Sequence, residues 1–349
     1  MTSHDTTTPP TTAPRSTTPL TATTWPIAAA TLAFGGPARD GGEVHDAPAA
    51  EWGRVLRAVA RAGFDHVDLT DAWLRPGDLA PSRRPELLDV AAEHGVALAS
   101  ISAIRRSVIH ASDGEENLAY SHRTIDAAAG LGIGTVSVGL HQALTPAQQR
   151  ELWFWTVTGH EDDPAHWDLA VERLRELGRH AADVGVVLSL EMYEDTFLGT
   201  AASSVRLVEE IGLPEVGLNP DIGNLVRLHR PIEDWREAFE LTLPWTNFWH
   251  VKNYSRDEDV ARDAYTAVPA LMETGLINYR WAVQRAVELG FQGVICTEHY
   301  GGDGLSVSAS NRDYLRRVLP EEGDVELGVS RVLQPRLTTP THDRAGVAS

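Results

Sequence analysis

Glu191, Asp221, His250 and Glu298 each close a short apolar run of β type: VVLSLE, VGLNPD, NFWH and GVICTE. Each run leads through a loop into a helix-period stretch. Three carboxylates and one imidazole that converge at strand ends form a cage for a hard or borderline divalent cation. Side chains at the C-terminal ends of parallel barrel strands project into one cleft, so the spacing brings all four together. Taken singly, a carboxylate at a strand end reads equally well as a helix cap. The recurrence on four consecutive strands, with one of the four a histidine, points to shared ligation.

Strand side chains alternate faces, so residues two apart share one. Lys252 is expected to point with His250, Asn219 with Asp221, and Tyr193 with Glu191 if that strand continues. His141 follows the run TVSVG and opens a long loop. It reads either as an ordinary loop residue or as a general base, since an imidazole accepts protons near neutrality. The Trp153–Phe154–Trp155 cluster reads as packing, or as an apolar wall for a planar substrate group. His299 is turned away from Glu298 by strand alternation. The run Gly301–Gly302–Asp303–Gly304 reads as a turn.

These residues need a scaffold. β-type runs alternate with helix-period runs from Ile27 onward, the signature of βα units on a parallel sheet. The strands are expected at Ala30–Phe34, His66–Leu69, Ala97–Ile101, Thr135–Gly139, Val187–Glu191, Val216–Asp221, Asn247–Val251 and Val294–Glu298. Helical patterns lie between them, among them Trp52–Ala62, Glu86–His94, Asn117–Leu131, Leu169–Val184, Ser204–Ile211 and Tyr279–Leu289. Eight strands in this rhythm favour a closed (β/α)8 TIM barrel over an open sheet. The first loop, FGGPARDGG, lacks the GxGxxG spacing of a dinucleotide site. Two connections are long, 142–166 and 251–278, and both leave the functional face of such a barrel. The expected organisation is a disordered Thr/Pro-rich tail over 1–26, a catalytic barrel over 27–320, and a loose C-terminal extension over 321–349.

Composition narrows the function. The 349 residues carry 30 Lys+Arg against 49 Asp+Glu, a formal charge of −19, which disfavours nucleic acid and anionic membranes as partners. The first 24 residues hold eleven Thr and four Pro, without the basic start and apolar centre of a secretory signal. No apolar run approaches the roughly 18 residues of a membrane helix. A soluble, cytoplasmic protein is expected. The single cysteine, Cys296, excludes an intrachain disulfide and reads as an inert buried thiol.

The segments SLEMYED, NPDIGN, WHVKN and CTEHYGG resemble the xylose-isomerase-like TIM barrels over roughly Ala30 to Leu319. That superfamily includes sugar isomerases, ketose 3-epimerases, inosose dehydratases and endonuclease IV. The resemblance implies that Glu191, Asp221, His250 and Glu298 hold one divalent cation, with Mg²⁺ or Mn²⁺ suiting an oxygen-rich set. The chain departs from the pattern at Asn224, where many relatives have His, and at Asn253, where many have Asp. The extra ligands of a trinuclear zinc nuclease are not evident. More narrowly, LAFGGPARDGG, LWFWTVTG, LSLEMYEDTFLGT and EHYGGDG resemble the large subunit of bacterial C-glycoside deglycosidases. This implies action on 3-oxo-C-glycosides, with a small β subunit as partner. The shared chemistry is proton abstraction beside a sugar carbonyl, the enediolate being stabilised by the cation. His141 is then the expected base at C2, followed by β-elimination of the aglycone. The alternative is a ketose isomerase or epimerase, with Glu191 and Glu298 as both ligands and acid/base groups. A non-catalytic sugar- or metal-binding scaffold is a third reading.

Overall fold

The computed structural model describes residues 19–321 and 327–340. The tail expected over 1–26 lies outside the described residues as far as 18. From Leu20 the chain is packed, and Trp25 is buried with its indole N–H donating to the Gly293 carbonyl at 2.9 Å.

Eight strands line the barrel: β1 (Ile27–Ala30), β2 (His66–Thr70), β3 (Ala97–Ala103), β4 (Thr135–Val138), β5 (Val187–Glu191), β6 (Val216–Asn219), β7 (Trp249–Val251) and β10 (Ile295–Thr297). They run in the order β6-β5-β4-β3-β2-β1-β10-β7, every neighbour parallel. The barrel closes between β6 and β7 through a single bridge from Leu218 to Thr246. The Asn219 side chain completes the seam, its Oδ1 accepting the His250 backbone N–H at 2.7 Å. The longer helices pack outside the sheet and bury one face against it. Ala49–Arg61 buries Trp52, Val55, Leu56 and Val59 at helical spacing, and full burial of such side chains is worth about 1.5–3 kcal/mol apiece.

The strand positions differ from the sequence expectation in ways that shape the site. The first strand begins at Ile27, not Ala30; Thr31–Phe34 forms a 3-10 turn. Thr31 anchors that turn by donating to the Asp68 carbonyl at 2.9 Å. β6 stops at Asn219 because Pro220 has no N–H to donate to the ladder, which sets Asp221 just beyond the strand. The connection after β7 is not a plain loop. It holds an antiparallel hairpin of β8 (Asn253–Asp259) and β9 (Ala264–Ala270). A helix at Ile222–Val226 and another at Trp235–Thr242 follow β6.

The extension expected to be loose is instead docked where it is described. Residues 327–340 run along the end of the barrel opposite the site. The Leu333 N–H donates to the Pro214 carbonyl at 2.7 Å, and the Arg331 N–H to the Pro244 carbonyl at 2.9 Å. Val332 is buried, and Leu337 packs against Ala28, Ala99, Phe248 and Cys296. Among the described residues no helix is long and apolar enough to cross a membrane.

Candidate metal centre and active site

The folded chain brings Glu191, Asp221, His250 and Glu298 together at the C-terminal ends of the strands. Each offers one ligand atom, and these atoms lie within 4.8 Å of one another, all on buried residues. His250 Nδ1 faces the carboxylates, 3.5 Å from Glu298 Oε2 and 3.8 Å from Glu191 Oε1. Lys252, two residues on, points into the same cluster as strand alternation requires. Its ammonium bonds Asp221 Oδ2 and lies 3.0 Å from Glu298 Oε2. Gly223 permits this, since a Cβ there would stand 2.6 Å from Lys252 Cγ and 2.9 Å from its carbonyl.

The electrostatics suit a dication. Three carboxylates against one ammonium leave two negative charges when His250 is neutral. His250 Nδ1 and Asp221 Oδ1 are buried with no hydrogen-bond partner, a costly state that coordination would relieve. Burial pushes the Asp221 carboxyl up to about 6, against the pull of Lys252 and with Glu298 and Glu191 adding to the rise. Burial also acts to raise Glu191, but the neighbouring His250 imidazole, with His141 and Lys252, holds it well below the usual range. The donors fit one hard or borderline divalent cation bound by Glu191, Asp221, His250 and Glu298.

The two departures from the superfamily pattern have visible roles. Asn224 donates to Glu191 Oε1 at 3.3 Å and to the Met192 carbonyl at 3.0 Å, steadying that carboxylate. Asn253 donates to the Met272 and Ile277 carbonyls, both at 2.9 Å, and ties down the base of the hairpin segment.

Sequence reading missed what stands behind His250. Asp68, on β2 and fully buried, sits with Oδ2 3.8 Å from His250 Nε2. Its other oxygen accepts from Ser100 at 2.6 Å and Ser102 at 3.0 Å, and Ser102 Oγ is 3.3 Å from the same Nε2. This set favours Nε2–H and leaves the Nδ1 lone pair for the centre. The signal in the sequence was a lone aspartate inside the apolar run HVDLT.

A cleft open to solvent lies over the centre, lined by Glu191, His250, Glu298, His141, Tyr193 and Tyr300 among others. His141 therefore shares a cavity with Glu191, His250 and Glu298. Its ring stacks on Tyr193 with centroids 4.5 Å apart. Gly139 makes room for it, because a Cβ there would lie 2.5 Å from His141 Nδ1. Nε2 is then the nitrogen left to face the cleft. Burial holds His141 down at about 4, Glu191 opposing and Arg105, Arg227 and Lys252 adding to the effect. The imidazole is neutral at pH 7, with a lone pair free to accept a proton.

Trp153, Phe154 and Trp155 do not line the cleft. Trp155 is buried, stacked on Trp153 at 4.8 Å and edge-on to Phe154 at 5.2 Å. Together with Tyr193 and Tyr300, Phe154 and Trp155 surround the guanidinium of Arg227 at 4.8–5.5 Å. Arg227 is itself fully buried and bonds both Glu194 oxygens, at 2.8 and 2.9 Å. The aromatic cluster is packing, and it backs the tyrosines that face the cleft. His299 is half-buried and outside the cleft lining.

Comparison with known proteins follows the same lines. The family model described as xylose isomerase-like TIM barrel matches residues 56–318. A magnesium complex of a xylose isomerase-like TIM barrel protein from Mycobacterium smegmatis is 51% identical, covering 85% of this chain and 97% of that one, with TM-score 0.83. D-psicose 3-epimerase from Clostridium cellulolyticum H10, solved with D-tagatose, is 16% identical over 84% of this chain and 99% of its own, with TM-score 0.60. The 3-keto-D-glucoside 4-epimerase of E. coli is 16% identical over the same shares, with TM-score 0.58. The last two share the fold. No curated protein matches the chain in sequence.

Proposed function

Because the chain belongs to the xylose isomerase-like TIM barrel family, we propose that it is a metal-dependent carbon–carbon lyase that cleaves 3-oxo-C-glycosides. The magnesium in the Mycobacterium smegmatis relative supports a dication on Glu191, Asp221, His250 and Glu298. When bound, such an ion supplies Lewis-acid stabilisation of negative charge on a ketone oxygen.

The observation that carries the reading is His141: a neutral imidazole in the same cleft as the ligands, and not one of them. His141 takes the proton from C2, made acidic by the oxo group at C3. The electron pair left on C2 forms the C1–C2 double bond as the bond from C1 to the aglycone carbon breaks. The aglycone leaves with that bond's pair and takes up a proton. The sugar product is a 1,5-anhydro-3-oxo-hexose enol, which tautomerises. Lys252 holds Asp221 and Glu298 in place, and Tyr193 and Tyr300 wall the cleft against water. An unoxidised C-glycoside has no acidic C2–H and is inert. The reading also carries a small second subunit, to be tested by co-expression with small neighbouring open reading frames.

A second reading, ketose isomerisation or epimerisation, draws on Glu191 and Glu298 lining one cleft. His141→Gln separates the two. Aglycone release from a 3-oxo-C-glucoside falls at least about 100-fold if His141 is the base, whereas epimerisation of a free ketose by two glutamates falls less than about tenfold. Full aglycone release by the variant would overturn the assignment.

A further inference from the structure

Two helices outside the barrel, Gly114–Leu131 and Trp167–Asp183, lie side by side and carry matching pairs four residues apart. The first holds His122 and Asp126, the second Glu176 and His180. These pairs bond crosswise. His122 Nε2 lies 2.8 Å from Glu176 Oε1, and His180 Nε2 lies 2.9 Å from Asp126 Oδ1. Between the rings the two Nδ1 atoms face each other at 2.7 Å. We infer that His122 and His180 hold a divalent cation of the zinc class through their Nδ1 atoms, at a site separate from the cluster in the barrel.

Proton counting leads there. An ionised carboxylate only accepts, so each of the two outer contacts needs a proton on Nε2. Two neutral imidazoles carry one proton each, and both are then used. Two lone pairs are left pointing at each other across 2.7 Å, an arrangement that needs a cation between them. That cation is either one extra proton or a metal ion, and charge favours the metal. A proton leaves the four side chains with one net negative charge, whereas a dication leaves them neutral. Each imidazole is also prepared as a metal ligand ordinarily is, its far N–H donating to a carboxylate that fixes the tautomer and raises its basicity. At a Zn–N length of about 2.0–2.1 Å, two nitrogens on one tetrahedral zinc stand about 3.3 Å apart. The rings therefore need to part by only about 0.6 Å. The histidine side chains are 27% and 24% exposed, which lets water complete the coordination. Imidazole donors suit zinc, copper or nickel, whereas the oxygen-rich cluster in the barrel suits magnesium or manganese. An ion held here clips two neighbouring helices of the barrel wall and stabilises the fold, because the unfolded chain lacks the site.

The test is equilibrium dialysis of the full chain against Zn²⁺ alone, with bound metal counted per chain, beside His122→Ala and His180→Ala. Alanine is favoured at both helical positions, so each variant is expected to fold. The wild type should bind one zinc more than either variant. Glu176→Ala keeps both Nδ1 ligands but frees the His122 tautomer, and should weaken that extra binding step by about 10–100-fold. Thermal unfolding supplies a second readout: Zn²⁺ should raise the midpoint of the wild type by more than that of either histidine variant. Loss of one zinc in both histidine variants supports the site whether or not the barrel cluster fills with the same metal. Equal zinc counts in the wild type and both variants would overturn the inference, the two rings then sharing a proton only. An equal rise in midpoint for all three proteins would overturn it as well.

Discussion

Asp68→Asn is the substitution that probes the centre most sharply. Ser100 and Ser102 both donate to Asp68 Oδ1, so an asparagine carbonyl can take that place and keep both bonds. The amide then falls where Oδ2 was, 3.8 Å from His250 Nε2. An –NH₂ there is a donor, which favours a lone pair on Nε2 and a proton on Nδ1. Nδ1 is the nitrogen that faces Glu191 and Glu298, and a protonated Nδ1 cannot ligate. Loss of an outer-shell partner ordinarily weakens metal binding about 10–100-fold, or roughly 1.4–2.7 kcal/mol. Asp68→Asn should fall at the upper end of that range, and Asp68→Ala, which imposes no tautomer, at the lower. Mn²⁺ titration followed by electron paramagnetic resonance measures both without reference to turnover. Wild-type affinity in Asp68→Asn, or weaker binding in Asp68→Ala than in Asp68→Asn, would refute the assignment of Nδ1 as ligand atom.

Three further predictions concern stability. His141 titrates at about 4 in the fold against an ordinary 6.5, so between those values the unfolded chain binds more protons. Stability from its burial is present above 6.5 and lost as pH falls toward 4, by about 2 kcal/mol between pH 7 and pH 5. Asp221, Asp71 and Asp162, each raised to about 6, act with the opposite sign in both proteins. The readout is therefore the difference: in urea unfolding of metal-free protein, His141→Gln should lose less stability than the wild type between pH 7 and pH 5, or gain more, by about 2 kcal/mol. Glu194→Gln strands the fully buried Arg227 guanidinium and should cost about 3–5 kcal/mol, whereas Glu210→Gln, which breaks an exposed pair with Arg206, should leave the unfolding midpoint nearly unchanged; equal effects in chemical denaturation would contradict the burial argument. Truncation before Leu327 removes the strap that buries Val332 and seats Leu337, with an expected loss of about 2–4 kcal/mol. An unchanged unfolding midpoint would show the strap to be dispensable.

The convergence of Glu191, Asp221, His250 and Glu298 was legible because residue type and position act together: a carboxylate or imidazole ending an apolar run is conspicuous. Lys252 followed from period-two alternation alone. Asp68 was not legible, since a single acid inside a five-residue strand looks like any other solvated position until the barrel closes around it. The β8–β9 hairpin escaped notice because NYSRDED is too polar to read as a strand; seven cross-strand pairs hold it. The C-terminal strap escaped for a related reason: backbone bonds to Pro214 and Pro244 dock it, and backbone groups leave no trace in composition. The Trp153–Phe154–Trp155 cluster admitted two readings, and the fully buried Arg227 at its centre, which no local pattern announced, decides for packing.

The central claim is that this centre removes a proton beside a sugar ketone and then expels the aglycone. It is tested most directly by incubating Mn²⁺-loaded protein with a 3-oxo-C-glucoside in D₂O, any small partner subunit co-expressed, beside a chelator-treated control. The account predicts release of free aglycone, abolished by the chelator. Deuterium incorporated beside the ketone without release would contradict the lyase step and place the chemistry with isomerases, and the absence of both release and exchange, with 3-oxo-glucosides and free ketoses alike, would contradict the account as a whole.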